Sequence, residues 1–253
     1  MKPAINESGA HRNIDEKFRE NGLRSLRIEN FNQLLEYIKS SGKASGDLLD
    51  VGCAHGWFLE AAKNRGFQVL GIEPDANVFN TSAQQGLPMR LGFFPEVLSE
   101  SDKFDVIVFN DVFEHIPEPN KVLKGCLAHL KPDGLLVLNL PSSTGIFYRI
   151  SRLLALIGLE SFFDRLWQKN LPSPHLHYFN LKNLNELLSK NGFKTVSSGR
   201  LSTLRLKGLF TRISYTGNQN IFVRIFICVL IFLAIPAILL MPSDIIYSIA
   251  RKR

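Results

Sequence analysis

The sequence predicts a doubly wound α/β layer, a largely parallel sheet with helices on both faces, and three observations predict it. Short apolar runs alternate with helix-period segments from about residue 45 to 200. The runs are apolar throughout, as suits strands buried on both sides. The first run ends in glycines that open a helix, and the second ends in an acid.

In chain order, residues 15–40 read as a helix, because Leu23, Leu26, Phe31, Leu34, Leu35 and Ile38 recur at three- and four-residue steps before Ser40-Ser41-Gly42 ends it. Strands are expected at Leu48–Val51, Phe67–Ile72, Met89–Gly92, Asp105–Phe109 and Leu135–Leu140, with helices at 56–65, 76–85 and 118–130 between them. The helix at 118–130 carries the stripe Val122, Leu123, Cys126, Leu127 and Leu130. Pro117 and Pro119 stand at its start, and Lys131-Pro132-Asp133-Gly134 reads as a stop and a turn. Asn180 is placed to cap a helix at 181–190, Asn191-Gly192 to end it, and a strand over Phe193–Val196 follows. Residues 244–250 read as a final strand.

Composition excludes several classes. The 253 residues are 45% apolar and 21% charged, ordinary globular usage and far from disordered or low-complexity chains. Cys53, Cys126 and Cys228 are widely spaced with no CxxC pair, so neither a disulfide framework nor a cysteine zinc site is supported, and a reducing compartment is expected. The formal charge of +7 permits attraction to phosphates or to an anionic membrane surface and selects neither. The first twenty residues hold no apolar run of the secretory kind, so the amino end is expected to stay in the cytosol.

The most informative stretch is Leu48-Leu49-Asp50-Val51-Gly52-Cys53-Ala54-His55-Gly56-Trp57, a strand running through glycines into a helix. Glycines there let a ligand approach the backbone, and a helix start offers free N–H groups to an anion. Glu73 follows at the end of the second strand, where a carboxylate can accept from both ribose hydroxyls. The run Gly-Cys-Ala-His-Gly does not meet the dinucleotide pattern GxGxxG, and Asp50 suits a ligand amino group better than a pyrophosphate. A nucleotide-type ligand carrying a zwitterion is the expectation.

Four blocks carry a family resemblance: LLDVGCAHGWFLEAA at 48–62, VLGIEPD at 69–75, FDVIVFNDVFEHIPEP at 104–119 and LKPDGLLVLNLPSS at 130–143, with HLHYFNLKNLNELLSKNGF at 175–193 as a fifth. They resemble the class I S-adenosylmethionine-dependent methyltransferases, in the type 23 branch similar to the ubiquinone-biosynthesis O-methyltransferases. The resemblance implies a Rossmann-like seven-stranded sheet and S-adenosylmethionine as cofactor. It implies that Asp50, Gly52, Cys53 and Gly56 line the methionine part, that Glu73 and Pro74 lie on the ribose, and that Asn110 and Asp111 close the site near the sulfonium. Ala54 stands where the family usually has glycine, and Gly92-Phe93-Phe94 replaces the common acidic contact to the adenine amine. Phe93 and Phe94 are each open to two readings, a ring stacked on adenine or a core residue.

A sulfonium donor is already activated, so alignment and desolvation supply most of the rate, and a base is needed only for an acceptor that loses a proton. His115, His175 and His177 are the candidate catalytic residues, as bases or acceptor contacts. His175 and His177 fall on one side of an extended chain, but with no third ligand apparent no metal site is expected. Residues 146–174, rich in Ile, Leu, Phe and Arg, are expected to form a lid over the strand ends and to favour an apolar acceptor; ordinary helix packing is the other reading.

Residues 225–241 are uncharged, include Pro236, and as a helix reach roughly 26 Å against a hydrocarbon core of about 30 Å. Basic residues flank them on both sides, Arg200, Arg205, Lys207, Arg212 and Arg224 before and Arg251, Lys252 and Arg253 after. If 244–250 returns to the sheet, residues 221–241 are expected to dip into the cytoplasmic leaflet as a kinked helix or hairpin, peripheral or monotopic, with the basic residues on anionic headgroups; a buried helix and a single span are the alternatives.

The expected organisation is an N-terminal helical cap at 1–40, a cofactor-binding core at 41–200 with the lid at 146–174, and a basic and hydrophobic segment at 201–253. The expected function is methyl transfer to an oxygen of a small apolar, lipid-like or lipid-linked acceptor. The rivals are a noncatalytic S-adenosylmethionine-binding membrane adaptor and an NAD-dependent oxidoreductase. Nucleic acid is not an expected partner, since the basic residues cluster near the apolar tail without an aromatic reading surface.

Overall fold

The computed structural model describes residues 16–83, 86–202, 229 and 242–253. The chain divides into two compact units, one of residues 1–27 and 204–238 and one of residues 28–203 and 239–253. The first is described only at residues 16–27, which are helical, and at Val229. The second holds the sheet.

The elements are α1 (Glu16–Ser40), β1 (Gly46–Val51), α2 (Trp57–Lys63), β2 (Phe67–Glu73), α3 (Ala76–Ala83), β3 (Met89–Leu91), β4 (Phe104–Asn110), α4 (Pro119–His129), β5 (Leu130–Pro141), α5 (Ile146–Leu156), α6 (Ser161–Leu166), α7 (Leu181–Lys190), β6 (Phe193–Leu201) and β7 (Ile245–Lys252). The seven strands lie in the order β3-β2-β1-β4-β5-β7-β6. All run parallel except β7, which is antiparallel to both β5 and β6.

Strand alternation sends side chains to two cores. Leu49, Val51, Ile107, Phe109, Leu136 and Leu138 face α4 and α7, where Leu123, Cys126, Leu184 and Leu188 are buried. Leu48, Val106, Val108, Leu135 and Val137 face the other way, toward Phe31, Leu34, Leu35 and Ile38 of α1 and Phe58 and Ala62 of α2. Each such side chain removed from water contributes about 1.5–3 kcal/mol, and the continuous apolar runs supply both faces at once.

Most boundaries fall within two residues of the sequence reading, and two differ by five. β5 starts at Leu130, not Leu135: Phe104 pairs with Leu130, the register then shifts, and Val106 resumes opposite Leu135, so Lys131–Gly134 is an irregularity inside a strand and not a turn between elements. β6 extends beyond Val196 to Leu201, because pairing with β7 continues to Leu201 opposite Ile245 while one face stays half-exposed. The hydrophobic stretch 221–241 apart from Val229, the basic residues Arg205, Lys207, Arg212 and Arg224, and residues 1–15 of the expected cap lie outside the described residues. Among the described residues no helix is long and apolar enough to cross a membrane.

The start of α7 has the cap that its sequence promised. Asn180 Oδ1 accepts from Asn183 N at 3.0 Å while Asn183 Oδ1 accepts from Asn180 N at 2.8 Å, a reciprocal capping box. Replacing Asn180 with Ala is expected to lower stability by about 1 kcal/mol, read as a lower urea midpoint at unchanged m-value.

Candidate active site

The strand order reverses at β1, so a crevice opens between the carboxyl ends of β1 and β4, where a doubly wound sheet takes its ligand. The chain leaving β1 folds back over β2, with Gly52 N and Cys53 N both donating to Ile72 O at 2.8 and 3.1 Å. Gly52 has φ +72°, and a Cβ there would stand 2.6 Å from Val112 Cγ2. Inside β2, a Cβ on Gly71 would meet Cys53 Sγ at 2.5 Å, so the turn lies against bare strand backbone.

Glu73 ties this turn down. Its Oε2 accepts from Ala54 N and its Oε1 from Asp75 N, both at 2.9 Å, and the side chain is buried at the cavity edge. Each oxygen retains a lone pair for a further donor.

A cavity of about 520 Å³ lies in the crevice, within the range usual for small-molecule sites. Among the residues singled out from the sequence, Gly52, Glu73, Pro74, Phe93, Phe94, Asp111 and His115 line it, together with Ser173 from the insert. The two aromatics both line the cavity but differ in burial: Phe94 is packed into the core, edge-on to Phe109 at 5.7 Å, whereas Phe93 is 70% exposed.

Asp50, Cys53, Gly56, Asn110, His175 and His177 do not line the cavity. Asp50 and Asn110 instead form a polar ladder across three strand ends with Asn139: Asn139 Nδ2 donates to Asn110 Oδ1 and Asn110 Nδ2 donates to Asp50 Oδ1, both at 3.4 Å. Burial pushes the Asp50 carboxyl up to about 8, the Asn110 hydrogen bond opposes the shift and the Glu73 charge adds to it. Burial, with the Asp50 and Glu73 charges behind it, pushes the Cys53 thiol upward, so this cysteine is a packing residue and not a nucleophile.

The three candidate histidines part company. His177 Nε2 lies 3.1 Å from Ile116 O, in a loop contact. His175 is half-buried between Gln168 Nε2 at 2.9 Å and Tyr178 Oη at 3.2 Å, and burial, then neighbouring His115, lowers its pKa to about 4. His115 alone reaches the cavity, its Nδ1 fixed by Pro174 O at 2.9 Å and Ser173 Oγ at 3.1 Å.

The sequence reading paired His175 with His177. The structure pairs His175 with His115 across 4.7 Å between ring centroids, and each Nε2 lies 4.0 Å from Glu114 Oε1. Glu114 is buried, its Oε2 has no hydrogen-bond partner, and burial followed by the Asp111 charge raises its pKa well above the carboxylate range. One ligand atom from each of Glu114, His115 and His175 lies within 4.8 Å of the others, a donor set suited to a divalent cation. Sequence spacing could not reveal it, since His175 stands sixty residues from His115.

Comparison with known proteins finds relatives in sequence and in fold. A family model described as "Methyltransferase domain" matches residues 18–198. The ubiquinone biosynthesis O-methyltransferase of Haemophilus ducreyi is 31% identical over 133 residues, 48% of this chain and 55% of the relative. The enzyme of the same name from Actinobacillus pleuropneumoniae is 32% identical over 139 residues, 50% and 58% of the two chains. The chain thus spans little more than half the length of the curated relatives it matches.

Among solved structures, a SAM-dependent methyltransferase of Thermotoga maritima, described as a possible histamine N-methyltransferase, superimposes with TM-score 0.60 at 15% identity, over 96% of this chain and 97% of that one. The magnesium protoporphyrin IX methyltransferase of Synechocystis, with bound SAH, gives 0.58 at 14% identity over 100% and 90%. At these identities the likeness is one of fold.

Ala54 takes a left-handed φ of +45°, which costs a residue with a Cβ roughly 1–2 kcal/mol relative to the right-handed region. Ala54→Gly is therefore expected to raise stability by about 0.5–1 kcal/mol, measured by urea unfolding, with the Ala54 N to Glu73 hydrogen bond retained.

Proposed function

On the premise that this chain belongs to the methyltransferase-domain family, as the match over residues 18–198 shows, we propose that it binds S-adenosylmethionine and transfers its methyl group to an oxygen of a small apolar, lipid-like acceptor. The observation that carries the cofactor reading is Glu73. A buried carboxylate, held by two backbone N–H groups beside a glycine turn, stands at the edge of a cavity of about 520 Å³ and retains lone pairs for the two ribose hydroxyls.

The residues fit the group. Gly52 lines the cavity, its missing Cβ letting Val112 pack against the turn, and the exposed ring of Phe93 offers a face to adenine. Asp50, behind the turn, suits the ammonium of the methionine part. When bound, the cofactor supplies a sulfonium-activated methyl; the protein's work is to align the acceptor, exclude water and accept a proton. His115 is the base of choice, since its ring reaches the cavity and is oriented by Pro174 O and Ser173 Oγ.

The acceptor class is drawn from the relatives named for ubiquinone biosynthesis and from the apolar insert beside the site. A lipid-like acceptor suits action at the cytoplasmic face of a membrane, with the uncharged stretch 225–241 and its basic flanks contributing contact.

Calorimetric titration of S-adenosylmethionine into the full chain tests the reading. Binding is expected, with NAD giving no heat, and Glu73→Ala should weaken it by at least about tenfold through loss of charge-assisted hydrogen bonds. Transfer of labelled methyl to a membrane-lipid extract, reduced in His115→Gln, separates an enzyme from a binding adaptor. Binding of NAD alone, or of neither ligand, overturns the proposal.

Asp50 adds a pH signature. With its pKa raised to about 8, its carboxyl is protonated at pH 6–7 in the free protein, and an incoming ammonium must displace that proton. Affinity is expected to rise with pH from 6 to 7.5, by close to tenfold per unit, with proton release seen as heat that depends on the buffer. Asp50→Asn should bind more weakly and lose the pH dependence.

A further inference from the structure

The insert between β5 and α7 carries a surface that internal packing does not use. On α5 the inward side is Tyr148, Ser151 and Ala155: Tyr148 meets Phe163 at 5.5 Å and Tyr178 at 4.8 Å, and Ser151 is buried. At about 100° per residue the far side carries Ile150, Leu153 and Ile157, with Phe147 at its border, one turn before Ser151. All four are exposed, Leu153 at 64% and Ile157 at 73%. Leu156, Leu159 and Phe162 extend the apolar exposure through the connection into α6. This reverses the usual order, in which a helix buries its apolar stripe and exposes its serine.

Both charges on α5 itself are basic, and the connection to α6 carries one exposed acid, Glu160. Arg149 and Arg152 are exposed on the flank of α5, and Arg165 is exposed on α6. Among the described residues no ion pair or hydrogen bond engages these three side chains, whereas the nearby Asp164 is already paired with Lys169 at 2.5 Å. An apolar helix face bordered by unpaired arginines has the chemistry of an interfacial helix on acidic lipid. A second copy of the chain would set the same arginines against each other.

Two connections give the face a role. The uncharged stretch 225–241 rejoins the described chain at Pro242, whose carbonyl accepts from Ile146 N at 3.1 Å, in the first turn of α5. At the other end of the insert, Ser173 lines the cavity and touches His115, two residues beyond the exposed Leu171.

We propose that the outward face of α5, with the connection to α6, docks onto an anionic lipid bilayer, Phe147, Ile150, Leu153 and Ile157 entering the acyl boundary and Arg149 and Arg152 engaging headgroup phosphates. An apolar acceptor then passes from the bilayer along the insert to the cavity without crossing water. This deepens the lipid-acceptor reading above and rests on it, while the docking itself has its own measurement.

The test uses the full chain with Leu153→Cys labelled by a polarity-sensitive fluorophore, in a Cys228→Ser background that leaves only the buried Cys53 and Cys126. Vesicles of phosphatidylglycerol and phosphatidylcholine are expected to shift the emission to the blue and raise it several-fold, as the label leaves water. Arg149→Gln with Arg152→Gln should weaken the partitioning by at least about tenfold, on the order of 1 kcal/mol being contributed by each basic residue at an anionic surface. Pure phosphatidylcholine should give a much smaller response.

Flotation with vesicles at unchanged emission means that another part of the chain holds the membrane, and it overturns the proposal. So do absence of flotation, equal response to neutral vesicles, or a blue shift on raising protein concentration without lipid, which assigns the face to a second copy. Titration of S-adenosylmethionine without vesicles is read separately, so loss of docking with intact cofactor binding fails this inference alone.

Discussion

The Glu73 carboxylate is the constraint on which the site depends. It receives the Ala54 and Asp75 N–H groups from the loops that leave β1 and β2, so two loops that share no helix are held by one side chain. The doubled acceptance of Ile72 O from Gly52 and Cys53 does the same from the backbone side. Buried backbone donors must be satisfied, and here the groups that satisfy them also shape the cavity. A strained residue at Ala54 is tolerated because both neighbours of the turn are already fixed.

Below that turn the sheet carries polarity into its own interior. Asp50, Asn110 and Asn139 continue the rows that begin with Leu48, Val108 and Val137, so the α1 and α2 side of the sheet is apolar for most of its length and polar only at the strand ends. Parallel alignment makes this ladder, because equivalent positions on neighbouring strands come level: Asn110 pairs with Asn139 across β4 and β5. A buried Asp beside two amides is free to hold or lose its proton according to what enters above it.

Much of this was legible in the sequence wherever one local signal determined the outcome. The apolar runs marked the central strands, Leu34, Leu35 and Ile38 marked the buried side of α1, and Asn180 marked the start of α7. Glu73 was legible because its distance from Gly52 is set by one βαβ unit. What depended on distant partners was not. β5 begins before a Pro-Asp-Gly run that looks like a turn, since only pairing with β4 makes Leu130 part of the strand. Phe93 and Phe94 are chemically alike in sequence, and only the path of the chain into the β4 side of the crevice puts one in the core and the other in water. His175 seemed to belong with His177, yet consecutive N–H bonds from Leu176 and His177 to Glu114 O turn the segment so that His175 joins His115.

The reversed strand β7 has a consequence of another kind. Leu201 ends β6 and Ile245 begins β7, and the two face each other across the ladder, so the chain between them departs from and returns to one point of the sheet edge. Nothing in the hydrogen bonding of β5, β6 and β7 requires that intervening stretch to have a given length or composition, because an antiparallel pair can be closed by a connection of a few residues. Pro242 and Asp244 are tied to the start of α5 and the end of β5, so the freedom belongs to residues 203–241: evolution can treat them as a cassette, exchanged, lengthened or trimmed while the catalytic layer keeps its order.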